Sequence, residues 1–263
     1  MNTERLPITF VTSKDGHNKA DVFQKSLPNW TIGHREPFFN ELQIHEAAPH
    51  DAHRPQAIAE RKAKDDIAIA HAISSLAKTI AEDGDVYTLG EDKMLLYTDT
   101  VQLVHLNDTD VAILEKPVGD PLAWAMHSPE AVTQSGKDIE IINALTGIRV
   151  GKNGISEPKT VILHVRATMR PFTREDVIAY AKSPDNTIAS TSGGLSMANG
   201  ARSFLDMNKP LIIGIADTMD DEPVEIARYT TWHHLTKEDL KPLICGAVEP
   251  AIARLAEKVN VRS

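Results

Sequence analysis

The stretch LLYTDTVQLV, residues 95–104, has the pattern of a buried strand but carries an acid, Asp99, among its apolar and aromatic residues. Burying an unpaired carboxylate is costly, so a buried Asp99 requires a partner. One interpretation is a structural acid that caps or bridges backbone groups. The other is a functional carboxylate in a cleft, which holds a divalent metal ion or orients a water molecule.

Other charged residues stand where they could act together with Asp99. Lys62 lies in IAERKAK, Lys116 lies in LEKPVGD, and Glu41 is flanked by apolar residues in FFNELQ. In isolation, Lys62 is typical of a surface lysine on a helix and Glu41 of an exposed carboxylate. We predict that Asp99, Lys62 and Lys116, which are far apart along the chain, converge on one groove where a cation and a polyphosphate neutralise them.

A polar loop near the N-terminus offers a phosphate site. The segment TSKDGHNK contains Thr12, Ser13, Lys14 and Lys19, and it separates a short apolar run from an amphipathic stretch. Backbone N–H groups at the start of a helix, with hydroxyls and a lysine nearby, can cradle a phosphate. An ordinary turn has the same composition, so this loop alone does not decide the matter.

Hydrophobic periodicity and turn residues predict the elements that position these groups. Strands are predicted at residues 8–11, 30–32, 86–89, 95–104 and 210–215, and within EPKTVILHVRATMRP. Helices are predicted at 18–26, 55–82, 121–126 and 138–145, while residues 45–55 have loop composition. Capping boxes are predicted at Thr173–Asp176 and Thr236–Asp239. The irregular alternation favours a mixed α/β sheet.

Composition narrows the class of protein. The chain has 263 residues and a formal charge of −9, which argues against a general nucleic-acid binder. The lone cysteine, Cys245, excludes an intrachain disulfide, and no apolar stretch approaches the length of a membrane span. We therefore expect a cytoplasmic protein with no membrane partner.

Several stretches together resemble the Maf-type nucleotide pyrophosphatases and their relatives, the inosine triphosphate pyrophosphatases. The similar stretches occur in the family order over residues 7–215: ITFVTSKDG, FFNELQ, IAERKA, YTDTV, LEKPVGD, VILHVRATMRPFTREDVIAY and GGLSMANGARSF. Two features depart from the Maf pattern. The first loop has lysines instead of an arginine pair, and Met197 replaces a glutamine, which leaves the base preference open.

The resemblance implies an elongated mixed β-sheet flanked by helices, in two lobes with a central cleft. It places the pyrophosphatase domain at residues 1–215, followed by a C-terminal extension, 216–263, which we expect to be helical and packed on the same domain. It also implies a homodimer.

The activity implied is hydrolysis of a nucleoside triphosphate to the monophosphate and pyrophosphate, with Mg²⁺ or Mn²⁺. Carried over by position, Asp99 is the general base or a metal ligand and acts with Lys62, and Glu41 is a second metal ligand. The phosphate-binding residues are Lys62 and Lys116, with Thr12, Ser13, Lys14 and Lys19 in the first loop. The alternatives are a catalytically weakened protein that binds or senses nucleotides on the same fold, and a different phosphohydrolase.

Overall fold

A computed structural model describes most of the chain. The described residues are 6–11, 24, 27–37, 41–48, 51, 53–80, 92–151, 154–195, 203–235 and 248–260. Several predictions lie outside them: the strand at 86–89, the second capping box at Thr236, most of the helix at 18–26, and Met197.

Strands and helices alternate along the described chain. In order they are β1 (Ile8–Val11), β2 (Ile32–Arg35), α1 (Glu41–Ala47), α2 (Arg54–Ile80), β3 (Lys93–His105), β4 (Val111–Leu114), α3 (Pro121–His127), α4 (Glu130–Thr133), β5 (Asp138–Gly151), β6 (Gly154–Ile155), β7 (Lys159–Thr168), α5 (Arg174–Ala181), β8 (Leu211–Ala216), β9 (Val224–Tyr229) and α6 (Val248–Asn260).

Within the described residues, nine strands form one open, mixed sheet in the order β2-β1-β3-β5-β7-β8-β9, with β4 paired to β3 and β6 paired to β5. Strand β1 runs parallel to β2 and β3, and the pairs from β3 to β9 are antiparallel. Helices pack on this sheet. The predicted mixed α/β architecture with a helix-flanked sheet is therefore confirmed.

The long helix α2 packs against β3 and β5 on one face of the sheet. Small and apolar residues recur on its buried side at intervals of three or four, including Ile58, Ala59 and Ala63, which are at most 1 % exposed. Alanine at two of these positions allows the helix to approach the strands closely. The opposite face of the sheet packs against α6, whose Leu255 lies over the glycine at position 147.

The predicted helix at 138–145 is wrong, because this segment forms the first part of the central strand β5. Ile139, Ile142 and Leu145 are spaced by three and so imitate one face of a helix. In the structure, Ile139 packs in the core on one face of the sheet and Ile142 in the core on the other. A strand covered on both faces has apolar residues on both, so the alternation that marks a strand is lost.

Several other local predictions are confirmed. The strand predicted at 30–32 is an exception: β2 spans Ile32–Arg35, because the chain first makes a turn in which the Trp30 N–H donates to the Leu27 carbonyl oxygen at 3.0 Å. Strand β1 has the predicted bounds, and α2 matches the predicted long helix within two residues at either end. Helix α5 begins with the predicted capping box: the Asp176 N–H donates to Thr173 Oγ1 at 3.3 Å, and the Thr173 N–H donates to Asp176 Oδ2 at 2.9 Å.

The C-terminal segment contains a strand as well as a helix. Strand β9 pairs with β8 and forms the edge of the sheet, and α6 packs on β5 and β7. The expected helical extension is therefore only partly helical. The predicted boundary after residue 215 falls inside this sheet, because β8 ends at Ala216.

Candidate functional site

Asp99 is buried in β3 and forms an ion pair with Lys62. Its side chain lies on the face of the sheet that packs against α2, and the residue is 8 % exposed. Lys62, which is 5 % exposed, places its Nζ 3.1 Å from Asp99 Oδ1 and 3.3 Å from the Thr98 carbonyl oxygen. The partner that a buried Asp99 requires is thus a lysine 37 positions away in the sequence.

Lys62 reaches the sheet because it belongs to the buried side of α2. It lies between Ala59 and Ala63 on that side, which packs against the sheet. The sequence pattern suggested a surface lysine when Lys62 was considered in isolation. The helix packs so that this position faces Asp99, and both charges are compensated.

A histidine also belongs to this group. His45 of α1 places its Nε2 3.5 Å from Asp99 Oδ1, and its side chain is 33 % exposed. The sequence stretch that contains it has loop composition, but His45 lies within a helix. Its spacing of four from Glu41 was the signal available in the sequence, since residues four apart share a helix face.

Arg54 holds α1 against the beginning of α2. Its two terminal nitrogens donate to the carbonyl oxygens of Ala48 and His45, at 2.9 and 2.8 Å. Its Nε lies 2.6 Å from Oε1 of Glu115, on the segment after β4. One buried arginine therefore ties together the helix that carries His45, the helix that carries Lys62 and the segment that carries Lys116.

Lys116 is exposed and lies beside Glu115 in that segment. No hydrogen bond or ion pair of Lys116 is present among the described residues. The structure thus brings Lys62 to Asp99, and it brings the segment around Lys116 to the first turn of α2, without a contact between Lys116 and Asp99.

The glycine-rich loop before residue 196 lies against the same region. Ser192 Oγ donates to the Thr100 carbonyl oxygen at 2.8 Å, and the Gly193 N–H donates to the Glu115 carbonyl oxygen at 2.9 Å. Gly193 and Gly194 have φ values of +69° and +73°, which residues other than glycine rarely adopt. This loop therefore connects the backbone next to Asp99 with the backbone next to Lys116.

A second buried polar group lies one helical turn from Lys62. Tyr97 Oη donates to Asp66 Oδ2 at 2.7 Å, and the Arg35 guanidinium forms an ion pair with the same carboxylate. Burial, reinforced by the negative charge of Asp66, raises the pKa of Tyr97 far above its usual range. Tyr97 is therefore a neutral hydrogen-bond donor, and this group fixes β2, α2 and β3 relative to one another. The sequence analysis did not identify it.

The other predicted site residues are Glu41 and the four residues of the first loop. Glu41 is the first residue of α1, four positions before His45. Thr12, Ser13, Lys14 and Lys19 lie outside the described residues. Among the residues that the structure does describe, no cluster of three or more His, Cys, Asp or Glu side chains suited to a metal ion is present.

A groove of about 440 Å³ lies between α1 and α2. Its walls include Ile44, Ala57, Asp65 and Ile69, and neither Lys62 nor Asp99 is among the described residues that line it. The groove is therefore separate from the Lys62–Asp99 pair, although α2 contributes to both.

No protein-family model matches the sequence, and a search of curated proteins gives no significant match. None of the described helices combines the length and the apolar character needed to cross a membrane.

Proposed function

We propose that this protein is a metal-dependent nucleotide pyrophosphatase, which hydrolyses a nucleoside triphosphate to the monophosphate and pyrophosphate. The observation that carries the proposal is the buried Lys62–Asp99 pair, joined by His45 and by the segments around Lys116 and Gly193. Charges from distant parts of the chain are gathered in one place, which is what binding a polyphosphate requires. The two lobes with a central cleft, and the homodimer, are part of this proposal.

Asp99 and Lys62 have complementary roles in this reaction. The Asp99 carboxylate accepts a hydrogen bond from the attacking water and orients it toward the α-phosphate. The Lys62 ammonium, whose Nζ lies 3.1 Å from that carboxylate, exchanges this contact for a phosphate oxygen when substrate binds. Cleavage between the α- and β-phosphates builds negative charge on the pyrophosphate, and fixed positive charge nearby stabilises it.

The donor groups present are compatible with Mg²⁺ or Mn²⁺. Mg²⁺ is usually held by one or two carboxylates together with substrate phosphates rather than by a full cage of protein ligands. Asp99 would supply the first carboxylate and Glu41 the second. When bound, the cation would neutralise phosphate charge and polarise the phosphate oxygens.

The test is an assay for pyrophosphate release. The wild-type protein is incubated with Mg²⁺ or Mn²⁺ and a panel of canonical and modified nucleoside triphosphates. We expect release from at least one of them, and we expect Asp99→Asn to reduce it by about 10²–10⁴-fold, the range typical of a lost general base. Asp108→Asn is the matched control, because Asp108 is an exposed acid in the turn between β3 and β4.

Other outcomes would point to the other candidate functions. Ligand-dependent thermal stabilisation without turnover would replace the proposal with a nucleotide-binding protein. Release of phosphate instead of pyrophosphate would indicate a different phosphohydrolase. An intact nucleotide panel with no stabilisation would refute both the catalytic and the binding proposals.

A further inference from the structure

A third polar cluster lies on the same face of the sheet as Asp99, near the start of β5 and the end of β7. Glu140 is 5 % exposed; its Oε1 lies 2.7 Å from His164 Nδ1 and accepts a hydrogen bond from Arg166 Nε at 2.8 Å. His105 Nε2 lies 3.7 Å from Glu140 Oε2. The strand register places these residues together, because Glu140 pairs with Arg166 and the neighbouring Ile142 pairs with His164.

The arrangement determines which ring nitrogen of His164 donates to Glu140 and which is available to a ligand. Burial raises the pKa of Glu140, but the hydrogen bonds from His164 and Arg166 outweigh burial and lower it to about 2. Glu140 is therefore ionised at neutral pH, and His164 Nδ1 must carry the hydrogen that it donates. His164 is only 5 % exposed, and its Nε2 is buried without a hydrogen-bond partner among the described residues.

His164 lines a pocket of about 260 Å³ that β9 helps to form. A β-bulge opposite Ile213 and Gly214 inserts an extra residue, Ile226, into β9. The bulge places Glu225 and Arg228 on the same side of the strand, where they form an ion pair and line the pocket. Bulges commonly re-aim side chains in this way.

Gly214 allows the other wall to approach. A Cβ at position 214 would lie 2.9 Å from the Cβ of Pro223, so only glycine lets Pro223 pack directly on β8. Pro223 carries the adjacent Glu222 into the pocket lining. Gly214, Pro223 and the bulge of β9 therefore define the walls of the pocket.

The pocket presents groups of both charges that have no partner among the described residues. Arg166 uses only Nε on Glu140, so its terminal nitrogens have no partner among the described residues. Arg228 binds Glu225 through Nε and Nη2, which leaves Nη1. Glu222 is exposed and has no ion pair within the described part of the chain.

We propose that this pocket binds a free α-amino acid. Its carboxylate would contact the terminal nitrogens of Arg166 and Nη1 of Arg228, and its ammonium would donate to His164 Nε2 and face Glu222. Two guanidiniums already face three carboxylates here, so a zwitterion adds no net charge, whereas a phosphate dianion would add two negative charges. The volume is below the range of about 300–1,000 Å³ for drug-sized ligands, which suits a molecule of this size.

The experiment titrates the full-length protein with each of the common L-amino acids by calorimetry. The comparison ligands are the corresponding α-hydroxy acids, decarboxylated amines and inorganic phosphate. We expect saturable binding of at least one amino acid and at least tenfold weaker binding of its hydroxy-acid and amine analogues. The proposal does not depend on pyrophosphatase activity, since calorimetry needs no turnover.

Two variants remove the proposed contacts and keep a polar side chain at each position. His164→Asn replaces the Nδ1 hydrogen with an amide donor to Glu140 but removes Nε2, and Arg166→Gln removes the guanidinium. Each should weaken binding at least tenfold. Lys159→Gln is the control, because it removes one positive charge from the other end of the same strand.

Should His164→Asn fail to fold, imidazole resonances of the wild-type protein give an independent measurement. His164 must then shift on titration while the loop histidines His233 and His234 do not. Absence of binding by any amino acid, equal binding of inorganic phosphate, or unchanged affinity in the folded variants would overturn the proposal.

Discussion

The Lys62–Asp99 pair leads to a quantitative prediction about stability. Three variants are compared with the wild type: Lys62→Met, Asp99→Leu and the double variant. Each single substitution removes one member of a buried ion pair, since the two residues are only 5 % and 8 % exposed. Loss of one member of a buried ion pair typically costs about 3–5 kcal/mol of unfolding free energy.

The surroundings refine this magnitude. In Lys62→Met, Asp99 keeps His45 at 3.5 Å, so the loss should lie near the lower end of the range. In Asp99→Leu, Lys62 keeps its hydrogen bond to the Thr98 carbonyl oxygen at 3.3 Å, so this loss should also lie within the range. The double variant replaces both charges with apolar groups of similar size and should recover most of the stability.

Urea denaturation at neutral pH measures all four proteins. We expect a coupling free energy of at least about 2 kcal/mol between the two positions. If the unfolding free energy falls with urea concentration at the same slope in all four proteins, unfolding exposes a similar surface area in each, and the comparison is valid. Single losses below about 1 kcal/mol with additive effects would refute the reasoning, because that behaviour belongs to solvent-exposed pairs.

Two further predictions concern other parts of the sheet. Because the pKa of Glu140 is lowered from 4.5 to about 2, its contribution to stability, on the order of 3 kcal/mol, is present above pH 4.5 and is lost as the pH falls toward 2. Glu140→Gln should therefore reduce the pH dependence of the urea midpoint between pH 5 and 2. A pH dependence equal to that of the wild type would contradict this account. Gly147→Ala should lower the unfolding free energy by about 1–3 kcal/mol, since its Cβ would lie 2.9 Å from Met94 Sδ and 3.1 Å from Leu255. Thermal unfolding measures this loss, and Gly33→Ala, where the nearest atom is 4.0 Å away, should be close to neutral in the same experiment.

Features governed by neighbouring residues were predictable from the sequence. The Thr173–Asp176 capping box involves residues three apart, and the long apolar stripe of α2 needs only helical periodicity. The acid of β3 could be recognised as unusual because its immediate neighbours are apolar. In each case the signal lies within a few residues.

Features that depend on which faces are covered were not predictable. The first part of β5 has helical spacing, and only its position between β3 and β7 makes it a strand. Strand β9 has an exposed, irregular pattern because it is an edge strand with a bulge. Neither the placement at the centre nor that at the edge is encoded in the local periodicity.

The sequence by itself determined that the chain forms a mixed α/β sheet and that a buried acid at position 99 needs compensation. Tertiary structure alone decided what supplies it: Lys62 from α2 and His45 from α1. It likewise decided that His164 and Glu140 meet beside a pocket at the other end of the same face. The physical reason is that the energy of a buried charge depends on the groups around it in space, and the register and packing of the elements bring those groups together.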